Sequence, residues 1–209
     1  MRNICTSIVA MFVLAGTVHA QPVQWTVAEG GNGHWYEYNP TPTDWHSARS
    51  YASQQGGDLA SISSVEENVF IHNLVPHAAW IGGTDEVQEG DWHWSNGDTW
   101  DYTNWGNGEP NNNDPTYGED YTYIVGYDHP NGTDFWYDGS VWTDDIAFVI
   151  EWDHDPSIKQ WRIEEGGNGH WYEGVSAPDG ISWLEANEAA NASGGYLATL
   201  TSAEEDQFV

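Results

Sequence analysis

Between residues 104 and 144 the chain reads NWGNGEPNNNDPTYGEDYTYIVGYDHPNGTDFWYDGSVWTD, a stretch dense in side-chain oxygen. Glu109, Asn111 and Glu119 fall within a short Gly/Asn/Pro-rich loop, and Asp144 closes an aromatic run with the pattern of a strand. Carboxylates and amide carbonyls are the donors that a hard cation such as Ca²⁺ prefers, six to eight of them at roughly 2.3 to 2.6 Å. A solvated turn shares much of this composition, because Asn, Asp and Gly are also the ordinary turn residues. The rest of the chain bears on which reading holds.

The elements that must position these donors can be traced in order. Trp25 to Tyr38 is aromatic and loosely alternating, as expected of two short strands around the GGNG turn. Thr43 or Asp44 can cap a helix running to about Gln54 with Trp45, Ala48 and Ala52 on one face, and Gly56-Gly57 ends it. Ser63 and Glu66 have capping-box spacing for a second helix carrying Val65, Val69, Phe70 and Leu74 and stopping before Pro76. Ala79 to Gly83, AWIGG, reads as a buried strand. From Thr84 to Pro115 hardly an aliphatic residue appears, yet Trp92, Trp94, Trp100 and Trp105 argue for an ordered loop. Strand-like runs at Tyr121 to Tyr127, Phe135 to Thr143 and Ala147 to Trp152 follow.

The opening segment then returns: QWTVAEGGNGHWYE at Gln24 to Glu37 recurs as QWRIEEGGNGHWYE at Gln160 to Glu173. The match extends through Trp45, Ala48, Leu59, Glu67 and Phe70, which recur as Trp183, Ala186, Leu197, Glu205 and Phe208. A repeat of this length is a duplicated domain rather than a solenoid unit. The expected organisation is a signal peptide at 1–20, one domain at 23–153, a linker at 154–159 and the opening part of a second, truncated copy at 160–209.

Composition narrows the function. Asp and Glu number 33 against 4 Lys and Arg, a formal charge of -29, which repels phosphate backbones and anionic lipid and argues against nucleic acid as a partner. Arg2, the apolar run Ile8 to Val18 and Val18-His19-Ala20 have the form of a leader cleaved after Ala20, too short to span a bilayer. Secretion without membrane insertion is expected, and Cys5, the single cysteine, leaves with the leader. Stability must then come from packing and from bound metal.

Two helices, the WIGG strand, a long loop with Glu-Pro-Asn and a closing Trp-x-Asp strand together resemble the C-type lectin-like domain over roughly Val23 to Asp153. The resemblance implies an α+β fold: two helices flank small antiparallel sheets, and a long loop carries the calcium and sugar sites. It identifies an EPN, mannose-type member without disulfides. It implies a principal Ca²⁺ held by Glu109, Asn111, Glu119 and Asp144, with a cis Glu109-Pro110 peptide. It implies an auxiliary Ca²⁺ on Asp85, Glu89 and Asp120, with Glu119 shared. A glycan would complete the principal ion's shell and hydrogen-bond to Glu109, Asn111, Glu119, Thr143 and Asp144. Thr143 departs from the Trp-Asn-Asp form, and Asn112 stands where a carboxylate often supports the auxiliary ion.

The function expected is thus calcium-dependent binding of glycans or glycoconjugates of the mannose or N-acetylglucosamine type. The alternative is a calcium-stabilised domain for a protein or other non-sugar ligand. Trp136 and Tyr117 are candidates to pack on a sugar's apolar face, while most of the loop tryptophans belong in the core. Paired carboxylates can run glycoside hydrolysis, but these are accounted for as cation ligands, so no enzyme is expected. No His/Cys spacing supports zinc, and His34 and His170, at repeat positions beside Trp-Tyr, read as structural.

Overall fold

The computed structural model describes residues 21–114, 116–129, 133–141, 145–175, 177 and 180–209. Two of the expected ligands, Thr143 and Asp144, lie outside the described residues, as does the leader.

Strand β1 (Val23–Gln24) passes through a short 3-10 turn into β2 (Trp35–Thr43). Gly31 is required there: a side chain would meet the Trp25 carbonyl oxygen at 2.4 Å. Helix α1 (Trp45–Gln54) starts where expected, with the Asp44 carboxylate accepting from the Ser47 N–H at 3.0 Å. Its Trp45, Ala48 and Ala52 are buried. After β3 (Asp58–Leu59) comes α2 (Val65–Leu74), whose cap is Ser64 rather than Ser63. Glu67, not Glu66, is the carboxylate at its start, accepting from Ser63 N–H and Oγ–H at 2.7 Å each. Nor do Val65 and Val69 face inward; they are 53% and 45% exposed. Phe70 and Leu74 pack against the core as expected, and the fully buried positions are Glu67, Asn68 and Ile71, because two interior aromatics recruit the helix's polar groups. Tyr36 donates to Glu67 at 2.5 Å, and Trp136 Nε1 donates to Asn68 Oδ1 at 2.6 Å.

The remaining strands of the first copy are β4 (Ala78–Thr84), β5 (His93–Trp94), β6 (Tyr121–Val125), β7 (Trp136–Gly139) and β8 (Ile146–Trp152). They join in one sheet ordered β1-β2-β8-β4-β6-β7, with β3 on β8 and β5 on β4. All pairs are antiparallel except β4 with β8, where Ala79 faces Ala147 and Trp80 faces Phe148. The α+β expectation holds, with the small sheets fused into one through that parallel pair. Alternation along β8 sends Ala147 and Val149 to one apolar cluster and Phe148, Ile150 and Trp152 to the other. A strand buried on both faces anchors the domain.

The repeated segment builds β9 (Ile158–Gln160), β10 (Trp171–Glu173), α3 (Trp183–Ala192) and α4 (Ala203–Phe208), with β9 beginning inside the expected linker. Its two strands form a separate two-stranded sheet. Among the described residues no helix is long and apolar enough to cross a membrane.

Candidate functional site

The long loop is gripped by the sheet from several sides. Asp85 follows the last residue of β4, and Glu119 and Asp120 immediately precede β6. Gly106 N–H donates to the Trp136 carbonyl at 2.8 Å, and Trp136 N–H to the Asn104 carbonyl at 2.8 Å, so the loop's start is sewn to β7. Beneath it an indole cluster closes: Trp94 and Trp100 have ring centroids 4.4 Å apart, Trp92 and Trp105 4.8 Å, and Trp94 and Trp136 5.5 Å. Trp136 is 0% exposed, so it cannot pack on a ligand as one sequence expectation had it. An inward position on β7 and the bond to Asn68 commit it to the core. Tyr117, at 59% exposed, keeps its place on the surface.

On this support Glu109 and Asn111 lie side by side around a cis Glu109-Pro110 peptide, the Asn111 amide donating to Glu109 Oε2 at 2.5 Å. Their backbone is pinned by Asp138, a residue that sequence reasoning missed. Its buried carboxylate on β7 accepts from Asn111 N–H at 2.9 Å and from Asn112 N–H at 2.7 Å. Glu119 N–H donates to Asn112 Oδ1 at 2.9 Å, while its carboxylate accepts from Asn113 N–H at 2.5 Å. A signal for Asp138 did exist, since strand alternation places it on the same face as Trp136. A carboxylate on a buried strand face must serve partners.

The second group lies across Asn112. Its amide donates to the Glu89 carboxylate, so Asn112, which sequence marked as a departure, ties the Glu119 side of the loop to the Glu89 side. Asp85 is 1% exposed. Its Oδ2 accepts from Gly90 N–H at 2.7 Å, and its backbone N–H donates to the Asp120 carbonyl at 3.2 Å. Asp85 Oδ1 is buried with no hydrogen-bond partner.

Charge is left uncompensated throughout the region. Burial, reinforced by Glu89 and Asp120, pushes Asp85 up to about 6. Burial and a hydrogen bond with Asp138 push Glu109 up to about 7. Burial also raises Glu119 and Asp120, with Asp138 and Glu86 respectively adding to the shift. Cations would relieve this, and the donors are all oxygen, the set that suits Ca²⁺. An orphaned buried carboxylate oxygen is the clearest sign of the fit. Among the described residues, no three His, Cys, Asp or Glu side chains are gathered as a preformed metal centre. The structure therefore brings together Glu109 with Asn111, and Asp85 with the Asp120 backbone, and links Glu119 to Glu89 through Asn112. Among the described residues neither expected ligand set is gathered into a closed shell.

Comparison with known proteins agrees with this frame. Residues 41–144 match the family model of the lectin C-type domain. The galactose-specific lectin nattectin of Thalassophryne nattereri is 40% identical over 78 residues, 34% of this chain and 49% of that protein. C-type lectin domain family 4 member F of Rattus norvegicus is 40% identical over 86 residues, 38% of this chain and 15% of that protein. The chain thus spans about half or less of the length of these curated relatives. Among solved structures, the cow C-type carbohydrate-recognition domain of CD23, crystallised in the presence of a GlcNAc2Man3 oligosaccharide, superposes with a TM-score of 0.51 at 28% identity. That likeness covers 57% of this chain and 87% of that one. A calcium-independent type II antifreeze protein shares the fold, with a TM-score of 0.51 at 23% identity over 65% of this chain and 96% of that one. With helices, sheet, looped-out carboxylates and relatives in agreement, the chain carries a C-type lectin-like domain, a non-enzymatic binding fold of a carbohydrate-binding lectin family.

Proposed function

We infer that the domain is a secreted, calcium-dependent lectin module for glycans of the mannose or N-acetylglucosamine type. The observation that carries this reading is the pairing of Glu109 with Asn111 on a backbone fixed by Asp138, together with the orphaned buried oxygen of Asp85. A principal ion would be held by Glu109, Asn111, Glu119 and Asp144, and an auxiliary ion by Asp85, Glu89, Asp120 and the shared Glu119. When bound, the principal ion supplies open coordination sites for two neighbouring sugar hydroxyls. Carboxylate oxygens accept from those hydroxyls, while the Asn111 amide both accepts and donates. The order acid then amide around Pro110 favours equatorial hydroxyl pairs, as in mannose; the reverse order favours galactose. Exposed Tyr117 would offer an aromatic face to the ring. Residues 1–20 would be removed on export.

Thr143 sustains a second reading, since a hydroxyl in place of an amide removes one ligand and one donor to sugar. Calcium would then stabilise a domain that binds a protein or another non-sugar ligand. Calorimetric titration with Ca²⁺, followed by mannose and then galactose, separates the two. Heat with Ca²⁺ and a mannose preference is expected. Calcium binding without any sugar response supports the second reading, and no calcium binding removes both.

A further inference from the structure

A row of aromatic side chains crosses the sheet on one face and ends at the loop. Trp80 of β4 stands opposite Tyr123 of β6, and Tyr123 opposite Tyr137 of β7. Side chains opposite one another in paired strands share a face, and here the rings meet along it. Trp80 meets Tyr123 edge-on with centroids 5.8 Å apart, and Tyr123 stacks on Tyr137 at 5.6 Å and 17°. Trp80 is buried and anchored by its indole N–H, which donates to the Thr43 carbonyl at 2.9 Å. Tyr123 and Tyr137 are only half-buried. The row therefore has a fixed inner end and an outer end that reaches the surface.

That outer end lies beside the loop carrying Glu109 and Asn111. A side chain at Gly106 would meet Tyr137 Cζ at 3.0 Å and its hydroxyl oxygen at 3.3 Å, so the hydroxyl end of the ring lies against the Gly106 backbone. The Gly106 carbonyl in turn accepts from Glu109 N–H at 3.0 Å. The next residue along β7, Asp138, points to the opposite face and holds Asn111 N–H and Asn112 N–H. Tyr137 is thus placed between Tyr123 and a loop backbone that leads directly to the acid and the amide of the site. Tyr123 faces the same charges: burial and then Glu109, with Tyr137, Glu119 and Asp138 adding, push its phenol up to about 12. Donors are scarce in this region. Glu109, Glu119 and Asp138 as carboxylates only accept, and the Asn111 amide already donates to Glu109.

We propose that Tyr137, backed by Tyr123, is a specificity-determining residue of the Glu109–Asn111 site: its hydroxyl donates to a glycan oxygen and its ring edge packs on the adjoining C–H face of the sugar. The proposal rests on the lectin reading above and gives it a contact that the buried Trp136 cannot supply. Tyr137 takes no part in holding the ion, so sugar affinity and calcium affinity separate when it is changed.

The test uses the chain from Gln21 to Val209. Ca²⁺ affinity is measured by calorimetry, and glycan affinity by competition of free mannose and of free N-acetylglucosamine against a mannose-coated surface in saturating Ca²⁺. Tyr137→Phe should weaken glycan binding about fivefold, the equivalent of one neutral hydrogen bond, while Ca²⁺ affinity and the melting midpoint stay as in the parent. Tyr137→Ala should weaken it further, since the ring edge is lost as well. Glycan affinity equal in the parent and both variants overturns the proposal and leaves the lectin reading standing. Loss of Ca²⁺ affinity in Tyr137→Phe in step with glycan affinity also overturns it, and makes Tyr137 a support for the loop alone. A parent that binds Ca²⁺ but neither sugar, or no Ca²⁺ at all, removes the lectin reading and the proposal with it.

Discussion

Asp85 should make the stability of the calcium-free chain fall as pH rises, opposite to the usual behaviour of a native carboxylate. Its folded value of about 6 lies above the ordinary 3.8, so the protonated form is favoured in the fold. The contribution is complete below pH 3.8 and is lost progressively as pH climbs through 6. The shift corresponds to about 3 kcal/mol at 1.36 kcal/mol per unit, of which solvent response leaves on the order of 1 to 2 kcal/mol. Denaturant melts in chelator at pH 4.5 and pH 7 should show that loss, and saturating Ca²⁺ should erase it by giving the charged form its partner. Asp85→Asn supplies the control. In chelator at pH 7 it should be more stable than the parent by about 1 to 2 kcal/mol, because it keeps the shape without the charge. In Ca²⁺ it should gain less from the ion than the parent does. An Asp85→Asn chain no more stable than the parent in chelator at pH 7 would refute the reasoning, as would a parent whose calcium-free stability rises from pH 4.5 to pH 7.

Three further outcomes are expected. Glu151→Gln should cost about 3 kcal/mol in denaturant melts, because four donors converge on that buried carboxylate. It should also flatten the pH dependence due to His34, whose value the Glu151 hydrogen bond raises, so that its contribution is present below pH 6.5 and lost as pH rises above it. Asp138→Asn should lower Ca²⁺ affinity about tenfold by calorimetry through the loosened Asn111 and Asn112 backbone, with Glu109→Gln as a comparison that removes a ligand outright. The Glu109→Gln, Asn111→Asp double variant should move a glycan array from mannose towards galactose, and Thr143→Asn should strengthen whichever sugar the parent binds.

Residues whose role follows from local pattern were readable without coordinates. Asp44 capping α1, the AWIGG strand and the acidic-amide order around Pro110 each depend on neighbours in sequence. Two-residue strands such as β3 and β5 carry too little periodicity to be seen, and exist only because β8 and β4 offer them an edge. Helix α2 was legible, with Phe70 and Leu74 inward, but not which of its other residues are buried. Hydrophobicity favoured Val65 and Val69, whereas Tyr36 and Trp136, distant in sequence, decide which polar side chains turn inward. Asp138 was missed because its partners are backbone N–H groups 26 and 27 residues away, which no composition rule reports.

The indoles packed beneath the loop have an optical consequence. Trp92, Trp94, Trp100, Trp105 and Trp136 meet at centroid distances between 4.4 and 6.3 Å, at interplanar angles from 25° to 78°. Chromophores that close and that obliquely set couple their transition moments, so the group should produce a paired-sign circular dichroism band in the indole region. Because Trp105 and Trp136 are sewn to the start of the loop that carries Glu109 and Asn111, ordering or loosening of that loop is written into the spectrum of the native chain, with no label required.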